Sequence, residues 1–176
     1  MAWSSVGQEP DGQDRPGKIR GVSDPRPACT PDELDRLETF VDAWLARQLQ
    51  DNDAVAAVDR SEDDVRRWYV RLRGEEKATF AVWFTLGQRT LHYETYFLPA
   101  PEENRAAFYE QLLRRNARLY GAAFNIGDED AVFLAGQLAN ADLDEVELDR
   151  VLGSLYAYVE QCFRSALRVG FASKFR

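Results

Sequence analysis

WYVRLRGEEKATFAVWFTLGQRTLHYETYF, residues Trp68 to Phe97, alternates apolar and polar side chains through three runs separated by two turn signals. Trp68, Val70 and Leu72 alternate with Tyr69, Arg71 and Arg73. That is the period of two a half-buried strand requires, because successive side chains point to opposite faces. Gly74-Glu75-Glu76-Lys77 turns the chain, after which Phe80, Val82, Phe84 and Leu86 share one face, with Thr79, Ala81, Trp83 and Thr85 on the other. Gly87-Gln88-Arg89 turns it again into Leu91, Tyr93, Thr95 and Phe97. The spacing predicts an antiparallel meander with one face made for core helices. Tyr69, Trp83 and Tyr96 project from the other face. An aromatic patch of that kind is either an interaction surface or the floor of a second layer, and both readings stay open at this point.

Helical periodicity flanks the meander on both sides. Upstream, Thr30-Pro31-Asp32-Glu33 is a helix start, with a Thr cap, Pro in the first helical position and Glu at the capping-box position. Leu34, Leu37, Val41, Trp44, Leu45 and Leu49 then recur every three to four residues. Asp51-Asn52-Asp53 ends that helix, and a short strand over Ala54 to Asp59 follows. Downstream, Leu98-Pro99-Ala100-Pro101 breaks the sheet and starts a helix over Glu102 to Asn116, striped by Ala106, Phe108 or Tyr109, Leu112 and Leu113. Strands over Leu119 to Ile126 and Ala131 to Gln137 are joined by Gly127-Asp128-Glu129-Asp130. The last helix starts near Asp142 and carries Leu148, Val151, Leu152, Leu155, Val159, Cys162, Ala166 and Val169 along one side. Its length of about 28 residues is far above the usual mean of roughly 11–12. The predicted class is α+β, an antiparallel sheet packed with helices.

Residues 1–28 differ in character. Pro10, Pro16, Pro25 and Pro27 alternate with Gly7, Gly12, Gly17 and Gly21, and the few apolar residues (Trp3, Val6, Ile19, Val22) follow no period. Such a segment buries too little to offset the entropy of ordering it, so it reads as a flexible tail ahead of one domain over 29–176. At 176 residues and 45% hydrophobic, the chain has the material for that single core. A net charge of -8 argues against a nucleic-acid partner, since neutralising phosphates needs a basic footprint. Arg66, Arg67, Arg71 and Arg73, and again Arg114, Arg115 and Arg118, are interleaved with apolar residues as on a solvated strand or helix face. No apolar run is long enough to span a membrane, and residues 1–28 lack the positively charged start followed by an apolar run that a secretory signal shows. Cys29 and Cys162 form neither a CxxC nor a metal spacing, which suits a reduced, cytoplasmic protein.

The search for reaction chemistry returns no positive pattern. Neither GxGxxG nor a Gly-rich loop ending in Lys-Ser or Lys-Thr is present, and there is no GxSxG elbow. His92 is the sole histidine, too few for the usual metal sites and triads. Asp142, Asp144, Glu145, Glu147 and Asp149 fail the EF-hand pattern, and carboxylates suit a first helical turn anyway. No catalytic, cofactor-binding or metal-ligating residue is therefore assigned.

YFLPAPEENRAAFYEQLLRRNARLYGAAFNIGDEDAVFLAGQLANADLDEVELDRVLGSLYAYVEQCF, Tyr96 to Phe163, resembles the bacterial YbjN-like family. The features that carry the likeness are a Leu-Pro after a strand, a helix ending Leu112-Leu113-Arg114-Arg115-Asn116, a hairpin with an acidic turn, and the Leu143-Asp144-Glu145 start of the last helix. With the meander and first helix it covers about Thr30 to Gly170. The resemblance implies a type III secretion chaperone-like fold of order α-β-β-β-α-β-β-α, in proteins that are usually dimeric. It also implies a non-enzymatic chaperone-like or adaptor role and transfers no catalytic residue. The expected partner is a protein gripped across Tyr69, Trp83 and Tyr96 or along the sheet edge, with a homodimer as the expected assembly. The rival expectation is a small-molecule sensor or enzyme, with a pocket between the sheet and last helix lined by Tyr93, His92 and Tyr156.

Overall fold

Thr30 caps the first helix as its sequence requires. Its hydroxyl accepts from the Glu33 N–H at 3.3 Å while the Glu33 carboxylate accepts from the Thr30 N–H at 2.7 Å. The computed structural model describes residues 27–175, so the expected tail lies outside the described residues except for Pro27 and Ala28. In chain order the elements are α1 (Pro31–Asp51), β1 (Val55–Arg60), β2 (Arg67–Arg73), β3 (Thr79–Leu86), β4 (Thr90–Leu98), α2 (Arg105–Asn116), β5 (Ala123–Ile126), β6 (Val132–Ala139) and α3 (Glu145–Gly170). The order is therefore the one the resemblance implied, with β1, the short strand expected over Ala54 to Asp59, ahead of the meander. All strand pairs are antiparallel, and the sheet runs β1-β2-β3-β4-β6-β5.

The registers confirm the faces read from the alternation. Trp68, Val70, Leu72, Phe80, Val82, Phe84, Leu86, Leu91, Tyr93 and Phe97 are buried on one side of the sheet. The helices close over that side, with Val41, Trp44 and Leu45 of α1 and Leu148, Val151, Leu155 and Val159 of α3 completing the core. Burying each large apolar side chain contributes roughly 1.5–3 kcal/mol before entropy is counted. Both deeply buried tryptophans find acceptors for their polar edges: Trp44 Nε1 donates to Asp149 Oδ1 at 2.8 Å and Trp68 Nε1 to Asp42 Oδ1 at 2.6 Å. These bonds join α1 to α3 and to β2, since a buried indole N–H left unpaired is costly.

Element boundaries depart from expectation where tertiary contacts intervene. α2 begins at Arg105 rather than Glu102, because the N–H groups of Glu102 and Glu103 both bond the Gly170 carbonyl and Asn104 is left-handed (φ 51°). Leu113 lies off the buried stripe of α2 and is 66% exposed. α3 starts after Asp144, whose side chain accepts from the Glu147 N–H at 2.8 Å. Residues 140–142 instead form a turn that tucks Asn140 under the β3–β4 turn, its Nδ2 donating to the Gly87 carbonyl at 2.9 Å and to Cys29 Sγ at 3.4 Å. Cys29 and Cys162 are both free thiols.

Candidate functional site

The three helices lie on one side of the sheet, and among the described residues no second layer covers the other. Cross-strand pairing writes out that open face in rows. One row runs Asp59, Tyr69, Trp83, Glu94, Ala135, Ala123; on the same face Ala57, Arg71 and Ala81 form one set of partners and Tyr96, Phe133 and Asn125 another. Tyr69 and Trp83 sit edge-to-face with ring centroids 5.8 Å apart, and Tyr96 and Phe133 do the same at 5.6 Å. The three residues anticipated from the alternation therefore share one face, as parts of two aromatic pairs. Between the pairs lie Ala81, Ala135 and the half-buried Glu94. Tyr96 is 40% exposed, so the patch is open to solvent. Each such pair is worth roughly 0.5–1.5 kcal/mol beyond its buried area, which holds the rings in place ahead of any contact with a partner.

Phe133 was not foreseen, although Val132-Phe133-Leu134 carries the same alternation as the earlier strands. Gly127 makes room for it: a Cβ there would lie 2.8 Å from the Phe133 ring. Lys77 was read only as a turn residue. Its Nζ donates to the backbone carbonyls of Tyr96 at 2.5 Å and Phe97 at 2.9 Å and lies 5.1 Å from the Tyr96 ring centre. Burial of the ammonium pulls its pKa down to about 8. The turn carrying Lys77 is held from beneath by Glu160 of α3, whose carboxylate accepts the N–H groups of Glu75 (2.9 Å), Glu76 (2.8 Å) and Lys77 (3.2 Å). Side chain and backbone of one turn thus tie α3 to the strand carrying Tyr96.

The trio anticipated for a small-molecule pocket is not brought together. His92 and Tyr93 are neighbours in β4, so His92 is exposed on the open face while Tyr93 is buried in the core. Tyr156 stacks near Phe80, 6.0 Å between ring centres. Tyr93 instead donates its hydroxyl to the Gly121 carbonyl at 2.6 Å and floors a wide, solvent-open hollow beside Tyr120, Glu147 and Arg150. Burial pushes the Tyr93 phenol up, against the pull of Arg150. The Arg150 guanidinium is already engaged, paired with Glu147 at 2.6 Å and stacked 4.8 Å above the Tyr120 ring centre. Among the described residues, no group of three His, Cys, Asp or Glu side chains is placed to hold a metal. No described helix is long and apolar enough to cross a membrane.

A family model described as "Putative bacterial sensory transduction regulator" matches residues 34–168. The chain belongs to the YbjN family. An uncharacterised protein of Mycobacterium tuberculosis is 38% identical over 104 residues, covering 59% of this chain and 57% of that one. An uncharacterised protein of Mycobacterium leprae is 32% identical over 111 residues, covering 63% and 60%. The match thus spans about three-fifths of these relatives' length. Among solved structures, a chain of the ExsC–ExsE complex shares the fold, with a TM-score of 0.53 and 18% identity over 73% of this chain and 94% of that one. The Yersinia pestis type III secretion chaperone SycH, solved with a fragment of YscM2, gives a TM-score of 0.46 at 17% identity, over 69% and 95%. Among the described residues this YbjN family member is an α+β protein with a six-stranded antiparallel sheet and three α-helices.

Proposed function

We propose that this YbjN family member is a non-enzymatic, chaperone-like or adaptor protein that grips a protein partner on the open face of its sheet. One observation carries the reading: the paired rings Tyr69–Trp83 and Tyr96–Phe133 stand on a helix-free face, beside Ala81, Ala135, Glu94 and Arg71. The likeness to a chain of the ExsC–ExsE complex supports it at the level of fold. Rigid aromatic anchors suit such a site because they offer large contact area at small entropic cost. The test is affinity capture from a native bacterial lysate, comparing wild type with Trp83→Ala and Tyr96→Ala. One protein recovered near stoichiometry with wild type and lost with either variant, at unchanged circular dichroism, is the expected result. Unfolding of both variants, or equal capture by all three proteins, refutes the role of the face.

The same reading extends to a homodimer. α2 and β5 leave an apolar hollow of about 260 Å³ lined by Tyr109, Leu112, Leu113, Phe124, Ile126 and Val132, with Leu113 66% and Ile126 54% exposed. Light scattering is expected to give a dimer that Leu113→Glu converts to monomer. A wild-type monomer at high micromolar concentration removes the dimer and leaves partner binding standing.

A further inference from the structure

The two edges of the sheet are not equivalent. In β5 the outward N–H and C=O of Phe124 are both taken by one side chain: Asn116 Oδ1 accepts the N–H at 2.7 Å, and its Nδ2 donates to the carbonyl at 3.1 Å. The carboxamide imitates a neighbouring strand at Phe124 and covers that position of the edge. At β1 nothing comparable occurs. The Ser61 N–H bonds the Arg67 carbonyl, and the register pairs Asp59 with Tyr69 and Ala57 with Arg71. By antiparallel alternation, Val58 and Arg60 then turn their N–H and C=O groups away from β2. Among the described residues nothing meets them.

We propose that the open edge of β1 takes up an extended segment of a partner protein by strand addition, a segment with alternating apolar side chains and basic residues at both ends. The proposal rests on the protein-binding reading above and assigns the edge and the chemistry of what adds to it. Edge strands are commonly guarded by bulges and charges, and β1 has a bulge between Val55 and Ala57. Its charges, however, are drawn off the edge. Arg60 is held by Glu38 and Asp42 of α1, and Asp59 pairs with Arg71 across the open face. What remains is a Val-Ala-Ala-Val run with a half-buried Val58. On the helix side, Leu45 and Leu49 follow Asp42, which holds Arg60 of β1, at helical spacing, and Leu49 is 46% exposed. An incoming apolar side chain therefore has a ledge to cover.

Charge selects the occupant. Asp51 and Asp53 precede β1, and Glu62, Asp63 and Asp64 follow it; none of these makes an ion pair among the described residues, and all five are exposed. A segment carrying Lys or Arg at both ends meets carboxylates at both ends. A second copy of the chain, paired edge to edge, would set the two acidic ends against each other, which is unfavourable. Main-chain bonds carry the affinity in this mode and the flanking charges the selectivity.

The probe is a synthetic, end-capped peptide with three valines alternating with threonines between paired arginines, titrated against the full chain by fluorescence polarisation. Binding is expected, with slowed amide exchange at Val58 and Arg60. Methylating the peptide nitrogens that face β1, or replacing its arginines by glutamates, is expected to weaken it by at least about tenfold. Val58→Pro is expected to do the same without unfolding the sheet, because its N–H lies outside the ladder. Absent binding, equal binding of the methylated peptide, or protection at Ile126 in place of Val58 overturns the proposal. Protection of Val58 that rises with protein concentration alone overturns it in favour of a second copy. If the edge fails while capture through Trp83 and Tyr96 persists, the face reading stands. If capture is absent while the peptide binds, the edge stands and the face reading falls.

Discussion

Gly136→Ala tests how tightly β4, β6 and the segment before β5 are pressed together. A Cβ at Gly136 would lie 2.1 Å from the Gly121 carbonyl oxygen and 2.6 and 2.9 Å from two atoms of the Tyr93 ring. To reach ordinary contact the Gly121 oxygen must retreat by about 1.3 Å. That oxygen accepts the Tyr93 hydroxyl at 2.6 Å, so the retreat breaks the bond and strands a half-buried phenol. Overpacking costs roughly 1–3 kcal/mol and an unpaired buried hydroxyl a further 1–3 kcal/mol or so. Together that is a large part of a total stability of roughly 5–15 kcal/mol. The sign is what makes the test sharp, because alanine in a strand otherwise gains roughly 0.5–1 kcal/mol over glycine. Urea unfolding followed by tryptophan fluorescence reads the difference directly. Tyr93→Phe isolates the hydrogen bond, and the Gly136→Ala penalty should shrink by about 1 kcal/mol in its background, as expected for contacting sites. A Gly136→Ala protein as stable as wild type, or more so, would refute the close approach of Gly121 to β6.

Two further outcomes concern the turn beneath Tyr96. Burial lowers the Lys77 pKa from 10.5 to about 8, so between those values the unfolded chain binds the extra proton. Stability should therefore rise with pH from about 8 upward and fall back as pH drops through 8. Lys77→Met should flatten that rise in urea unfolding between pH 7.5 and 9.5 or so, below the range where tyrosines ionise. Glu160→Gln replaces a charged acceptor of three backbone N–H groups by a neutral one. The expected cost is about 1–3 kcal/mol, with faster amide exchange at Glu75, Glu76 and Lys77; exchange unchanged at all three would show that the turn holds itself.

The meander was legible because period two is unambiguous over three consecutive runs, and every face assigned in Trp68 to Phe97 is the one observed. The Thr30 cap was legible for a similar reason, being a local motif satisfied by its own neighbours. What the sequence concealed is set by distant partners. α2 loses its first turn because Gly170, far along the chain, takes the amides of Glu102 and Glu103. Glu129 and Asp130 adopt positive φ in a turn whose glycine, Gly127, does another job beneath Phe133. The pocket of His92 with Tyr93 was excluded by the very alternation that built the sheet, since adjacent strand residues cannot share a face. Of the aromatic face, Tyr69, Trp83 and Tyr96 followed from pattern, whereas Phe133 became visible only when β6 was laid beside β4. The unequal edges leave no trace in composition, because Asn116 acts through a side-chain amide aimed at a strand eight residues further on.

That single carboxamide has a consequence for how copies of the chain meet in a crowded solution. A sheet with two open edges can join tail to head without end, and every addition leaves a fresh edge for the next, the geometry from which fibres grow. Asn116 takes up the outward groups of Phe124 on one of the two edges. A chain of copies growing by edge pairing through β1 would therefore meet an occupied position at Phe124 on the opposite side of the sheet.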